Sequence, residues 1–226
     1  GEENRDGGDH NFSWNSGVEG PTRARAIREV RRRQVRNFIT LLLLSHGQPM
    51  LWMGDEVLRT QHGNNNAYSQ DNPLGWFRWA DVDEQADMHR FTRDLVRLCG
   101  SIDQLHGDRF WKATSGEDRG DISWHGVEPG RPDWSPLSHF IAWTLEGERP
   151  EDRWHVMANA WWRELPVTLP PLPVNLCWHR VLDTALPPGD DLVEPAAAAP
   201  LAGDTYAMGW HSVVLLRALA GPTEQR

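Results

Sequence analysis

Two neighbouring stretches of the 226-residue chain hold side chains that could do chemistry. In Gln48-Pro49-Met50-Leu51-Trp52-Met53-Gly54-Asp55-Glu56 an apolar run ends on two adjacent carboxylates. The next loop, Arg59 to Asn72 (RTQHGNNNAYSQDN), is almost entirely hydrogen-bonding. Its Asn64, Asn65, Asn66, Tyr68 and Gln70 present donors and acceptors in both senses. Trp76, Phe77 and Trp79 follow at once. An uncharged polyol suits such a surface: amides meet its hydroxyl edges, and flat indole faces meet the C–H faces of a pyranose ring. Tryptophan is the commonest aromatic, 13 residues against 6 Phe and 2 Tyr, although any single one is first of all a core filler. Glycoside hydrolysis needs one protonated carboxyl for the leaving oxygen and one ionised carboxylate for the anomeric carbon. Asp55 and Glu56 are adjacent in sequence and are not assigned those two roles; they can equally cap the next turn or pair with Arg59.

Other chemistries lack their motifs. The 10 histidines are scattered, with no HExxH pair and no metal-ligand spacing to a cysteine. There is no GxSxG elbow and no GxxxxGK[ST] loop, and no cofactor is expected. Cys99 and Cys177 are too far apart for a disulfide framework or a zinc site and read as free thiols of a cytoplasmic protein. With 23 basic and 32 acidic residues the formal net charge is −9, which disfavours nucleic acid and anionic membranes as partners. Apolar runs such as Leu41 to Leu44 are far too short to span a bilayer, and no charged-then-apolar leader opens the chain.

The elements that must position these residues follow from periodicity. Gly1 to Gly20 reads as a polar, glycine-rich ordered loop. Pro21 suits the first turn of a helix, and Val35, Phe38, Ile39, Leu42 and Leu43 share one helical face ended by Gly47. The run Met50 to Met53 predicts a strand buried on both faces, its C-terminal end carrying Asp55 and Glu56. In β/α folds, ligands are met at that end of a strand. Met88, Phe91, Leu95 and Leu98 predict a second helix, Glu84 to Leu98. From Ser101 the pattern changes to short strands near residues 121–125, 139–145, 154–160, 165–169, 177–182 and 212–219, separated by turn residues. That spacing predicts an antiparallel sandwich, with Glu194 to Pro200 (EPAAAAP) as a long flexible connection.

GEENRDGGDHNFSWNSGVEG, GQPMLWMGDE and RTQHGNNNAYSQDN together resemble, in order and spacing, the bacterial glycogen debranching enzymes and the related isoamylases of the α-amylase clan. The likeness is strong to about Leu98 and weaker from Gly107, where DWS (Asp133 to Ser135) and NAWW (Asn159 to Trp162) stand in the expected places. Ser69 occupies a position where cysteine is common in that family. The resemblance implies an α/β plus all-β chain: the last part of a (β/α)8 TIM barrel over residues 1–100, then a C-terminal antiparallel β-sandwich over 101–226. Gly1 to Gly20 would follow barrel strand 7, Thr22 to His46 would be helix 7, Met50 to Met53 strand 8 and Glu84 to Leu98 helix 8. It implies hydrolysis of α-1,6 branch linkages in glycogen or limit dextrin by a retaining mechanism, with the catalytic carboxylates upstream of position 1 and this stretch alone inactive. Its partners would be a branched α-glucan and the N-terminal part of the barrel. Asp55, Glu56, Arg59, Asn64, Asn65, Asn66 and Tyr68 would line the cleft at the end of strand 8, and Asn4, Arg5, Asp6 and Trp14 would border it. The alternative is a non-catalytic α-glucan-binding module derived from such an enzyme. A barrel reduced to its final strand leaves that strand without neighbours, so poor solubility of the isolated chain is expected.

Overall fold

The computed structural model describes residues 12–64, 66–108, 110–114 and 120–221. Three helices come first: α1 (Arg25–Leu43), α2 (Ala80–Glu84) and α3 (Ala86–Gly100). Seven strands follow: β1 (Ile122–His125), β2 (Phe140–Leu145), β3 (Trp154–Asn159), β4 (Leu165–Thr168), β5 (Leu176–Asp183), β6 (Thr205–Met208) and β7 (Ser212–Ala220). Five form an antiparallel sheet in the order β1-β2-β3-β7-β5, and β4 pairs with β6 in a second, antiparallel sheet.

Strand alternation explains how two cores share one sheet. In β7, Val213 and Leu215 point to one side while Val214, Leu216 and Ala218 point to the other. The first side packs on α1 and α3 through Ile39, Leu44, Met88, Phe91 and Leu95. The second packs on the small sheet through Val167, Leu169 and Met208. With both faces covered, the central strands read as nearly continuous apolar runs despite being antiparallel. Each fully buried Leu, Phe or Met contributes roughly 1.5–3 kcal/mol by leaving water. The α3 face predicted from sequence, Met88, Phe91, Leu95 and Leu98, is buried as a unit. On α1 the apolar stripe is wider than the core it meets: Ile39 is buried, whereas Phe38 faces solvent.

Asp191, in the loop after β5, ties the helices to the sheet. Its two carboxylate oxygens accept from Arg36 of α1 at 2.8 Å and from Arg90 of α3 at 2.6 Å. Asn37 of α1 donates to the His211 carbonyl at 2.9 Å and accepts from the Thr184 hydroxyl at 2.5 Å.

Three sequence expectations change. Met50 to Met53 forms no strand: among the described residues no neighbouring strand offers its backbone groups partners, and an unpaired strand has no ladder to hold it. The segment Glu194 to Pro200 is pinned rather than flexible, since a 3-10 turn spans Pro195–Ala197, Ala198 is buried and His179 Nδ1 lies 2.7 Å from the Ala198 carbonyl. Strand β6 was not foreseen, being only four residues between Asp204 and Gly209.

Candidate functional site

The 48–79 segment folds around Arg59 and Gly54. Gly54 takes φ +100°, and a Cβ there would sit 2.6 Å from Arg59 Cβ, so both the backbone angle and the close approach call for glycine. A 3-10 turn, Asp55–Val57, follows it. Arg59 then braces three parts of the loop: it donates to the Met53 carbonyl at 3.1 Å, the Leu74 carbonyl at 2.8 Å and Gln61 Oε1 at 3.2 Å. Asparagine side chains tighten the next turns. Asn64 Oδ1 accepts from the Asn66 N–H at 2.8 Å, and Asn66 Oδ1 from the Tyr68 N–H at 3.0 Å. Most amide oxygens of the tract therefore hold backbone and shape the loop.

An open groove of about 730 Å³ results, lined by Trp52, Arg59, Gln61, Asn66, Tyr68 and Trp76 among others. Tyr68 is 86% exposed, Trp52 64% and Trp76 55%, so their faces are available to a ligand. Trp76 Nε1 donates to Asp71 Oδ1 at 2.8 Å, which fixes the indole and leaves its face open. Asp55 lies on a neighbouring groove of about 680 Å³ with Arg28, Arg31, Arg32 and Arg59, so Arg59 forms the wall between the two. Partial desolvation raises the Asp55 carboxyl above its ordinary value, with the Trp52 backbone hydrogen bond acting against it. Glu56 turns back, its Oε2 accepting from the Gly54 N–H at 2.8 Å.

The structure thus brings Arg59, Asn66 and Tyr68 into one groove and sets Asp55 beside it. Asn64 shapes the loop from behind, and Glu56 caps it. Trp14 is placed elsewhere, its ring 5.6 Å from that of His211 in the β region. Asn4, Arg5, Asp6 and Asn65 lie outside the described residues. Trp76 was read from sequence as one of the indoles beside the amide tract and Trp52 as part of the apolar run, but neither was named as a lining residue; their position on either side of the tract was the available signal. Among the described residues no three His, Cys, Asp or Glu side chains converge where a metal ion could sit. No helix among them is long and apolar enough to cross a membrane.

Residues 123–213 match the family model described as Isoamylase 1-3, C-terminal. The chain is 40% identical over 186 residues to "Isoamylase SU1, chloroplastic" of Zea mays, covering 81% of this chain and 22% of that protein. It is 36% identical over 236 aligned residues to "Glycogen operon protein GlgX homolog" of Mycobacterium bovis, covering 96% of this chain and 32% of that one. It is 38% identical over 184 residues to "Glycogen debranching enzyme" of Erwinia tasmaniensis, covering 80% and 26%. The chain therefore spans between a fifth and a third of the length of these curated relatives. Among solved structures, type I pullulanase of Bacillus subtilis complexed with maltose superposes with a TM-score of 0.62 at 18% identity, over 89% of this chain and 25% of that one, a likeness of fold.

Proposed function

We propose that this chain, a relative of the isoamylases and glycogen debranching enzymes, forms part of the substrate cleft of an α-1,6-glucan debranching hydrolase. The whole reaction would be retaining hydrolysis of branch linkages in glycogen or limit dextrin through a glycosyl-enzyme intermediate. Its nucleophile and general acid would come from sequence preceding the matched stretch, and residues 1–100 would complete a (β/α)8 barrel.

One observation carries the reading: the groove with Trp52, Tyr68 and Trp76 exposed around an amide-rich loop. Aromatic faces with a few placed polar groups are what a neutral sugar ring needs for both packing and orientation. Within this groove Arg59 acts mainly as a positioning residue, because its hydrogen bonds go to Met53, Leu74 and Gln61. Tyr68 and Trp76 would make the contacts to sugar.

The test is a debranching assay on the complete reading frame with amylopectin and limit dextrin, beside the 226-residue chain alone. The full protein is expected to release linear chains and the short one none. Turnover by the short chain would refute the division of labour. A full-length protein that cleaves only α-1,4 linkages would refute the reaction.

A further inference from the structure

The β region exposes a second aromatic surface, away from the loop groove. The turn between β3 and β4 carries Trp161, Trp162 and Arg163. Trp162 is 69% exposed, its ring 5.3 Å from Trp161 and inclined at 73°. His139 stacks 4.5 Å from Trp161 on one side, and the Arg163 guanidinium sits 5.0 Å over the same ring. Below lies a groove of about 390 Å³ lined by Glu128, Asp133, Ser138, His139 and Trp161 among others. Glu128 and Arg131 form an ion pair at 2.6 Å, which leaves the Asp133 carboxylate as the groove's remaining charge.

Hydrogen bonds brace the turn from below. Buried Asn159 accepts from the Trp161 N–H at 2.9 Å and donates to the Gly209 carbonyl at 2.9 Å and the Arg163 carbonyl at 3.2 Å. The Ala160 N–H donates to the His139 carbonyl at 2.7 Å. The His211 N–H donates to the Trp161 carbonyl at 3.0 Å, and the His211 ring carries Trp14 at 5.6 Å. Trp14 and His211 are thus tied to this turn through backbone, not through ring contact. Apolar faces held in water in a fixed arrangement are pre-organised for a ligand, which loses little freedom in the protein on binding.

From this arrangement we propose that Trp161, Trp162 and His139 form a second α-glucan site, one that grips a linear stretch of the polymer away from the loop groove. The inference rests on the α-glucan reading above. Two inclined indoles follow the curve of an α-1,4-linked chain better than a flat partner. Trp162 is the most open of the three rings, and one aromatic buries only about 150–250 Å² in full. A stable protein interface takes about 800 Å² from each partner, so a second copy or a protein ligand is poorly served. The neighbouring hydroxyl and carboxylate groups, Ser138 and Asp133, supply acceptors for sugar hydroxyls.

The test titrates the whole chain with maltoheptaose, followed by tryptophan fluorescence, and runs it in native gels containing glycogen. Trp162→Ala is expected to raise the apparent Kd about fivefold or more, the equivalent of a modest hot spot, while Trp162→Phe stays within about twofold of the parent. Trp76→Ala reports separately on the loop groove. Parent-like binding by Trp162→Ala overturns the proposal, and weakening by Trp76→Ala alone would leave the loop reading standing. Weakening by Trp162→Ala with Trp76→Ala inert supports the proposal and removes the loop groove. A chain that binds no glucan overturns it, as does sedimentation showing self-association that Trp162→Ala abolishes.

Discussion

Replacing Asp191 by Asn should unfasten the helices from the sheet. The carboxylate is 1% exposed and is shared by Arg36, 11% exposed, and Arg90, 26% exposed. Asn keeps the shape and one acceptor but removes the charge, leaving two guanidiniums facing each other across a site where water is scarce. Breaking a buried pair from one side costs about 3–5 kcal/mol. Arg90 is open enough to recover part of its hydration, so the expected loss is about 3 kcal/mol, near the lower limit. For a chain of this size that corresponds to a fall in Tm of roughly 6–12 °C. Urea unfolding at neutral pH measures it as a lower midpoint at unchanged m. Arg90→Met combined with Asp191→Asn should recover part of the loss, because one stranded charge is gone. A loss below about 1 kcal/mol would show that the clamp is solvated and that packing alone holds the helices.

Three further outcomes follow from the geometry. The Gly130 N–H donates to His125 Nδ1 at 2.9 Å, so that ring is held neutral; His125 Nε2 lies 2.9 Å from the Thr144 hydroxyl, and that hydroxyl lies 2.9 Å from His155 Nδ1. Burial lowers His125 from 6.5 to about 4, and burial together with His125 lowers His155 to about 3. The folded values lie below the unfolded one, so this stabilisation is complete above pH 6.5 and declines as pH falls towards 4. The slope is up to about 1.4 kcal/mol per pH unit for each ring, and His125→Gln should flatten the urea-midpoint profile between neutrality and pH 5. Gly54→Ala places a Cβ against Arg59 at an angle alanine disfavours; a strain of about 1–3 kcal/mol should speed amide exchange around Arg59 about tenfold or more, with little change in the global melt. Tyr206 donates to buried Asp183 at 2.7 Å, so Tyr206→Phe should cost about 1–3 kcal/mol in urea unfolding, and a neutral result would show the carboxylate finding another donor.

Local signals carried much of the fold. The α3 stripe and six of the seven strands were legible because each core position repeats with the period of its element. What escaped was set by distant partners. Met50 to Met53 has the composition of a buried strand, but a strand is completed by its neighbours, and composition does not supply them. β6 owes its place to pairing with β4 and to the Tyr206 hydroxyl on Asp183. Within the candidate site, the amide-rich loop was visible as a ligand surface, yet its division into bracing and exposed residues was not. Asn64 and Asn66 look alike in sequence; only the turns show that Asn64 serves backbone while Asn66 also reaches the groove.

Residue 100 ends a helix but does not end a core. Phe91 and Leu95 of α3 share one apolar mass with Trp143, Val156 and Leu215 of the sheet. Anyone splicing the β strands onto another framework inherits this shared seam. A graft that begins at Ser101 would present a naked Trp143 and Val156 to whatever helix the host provides, whereas one that begins ahead of Arg25 brings its own lid. Transfer of the strands is expected to preserve their stability only when the two helices that roof them go along.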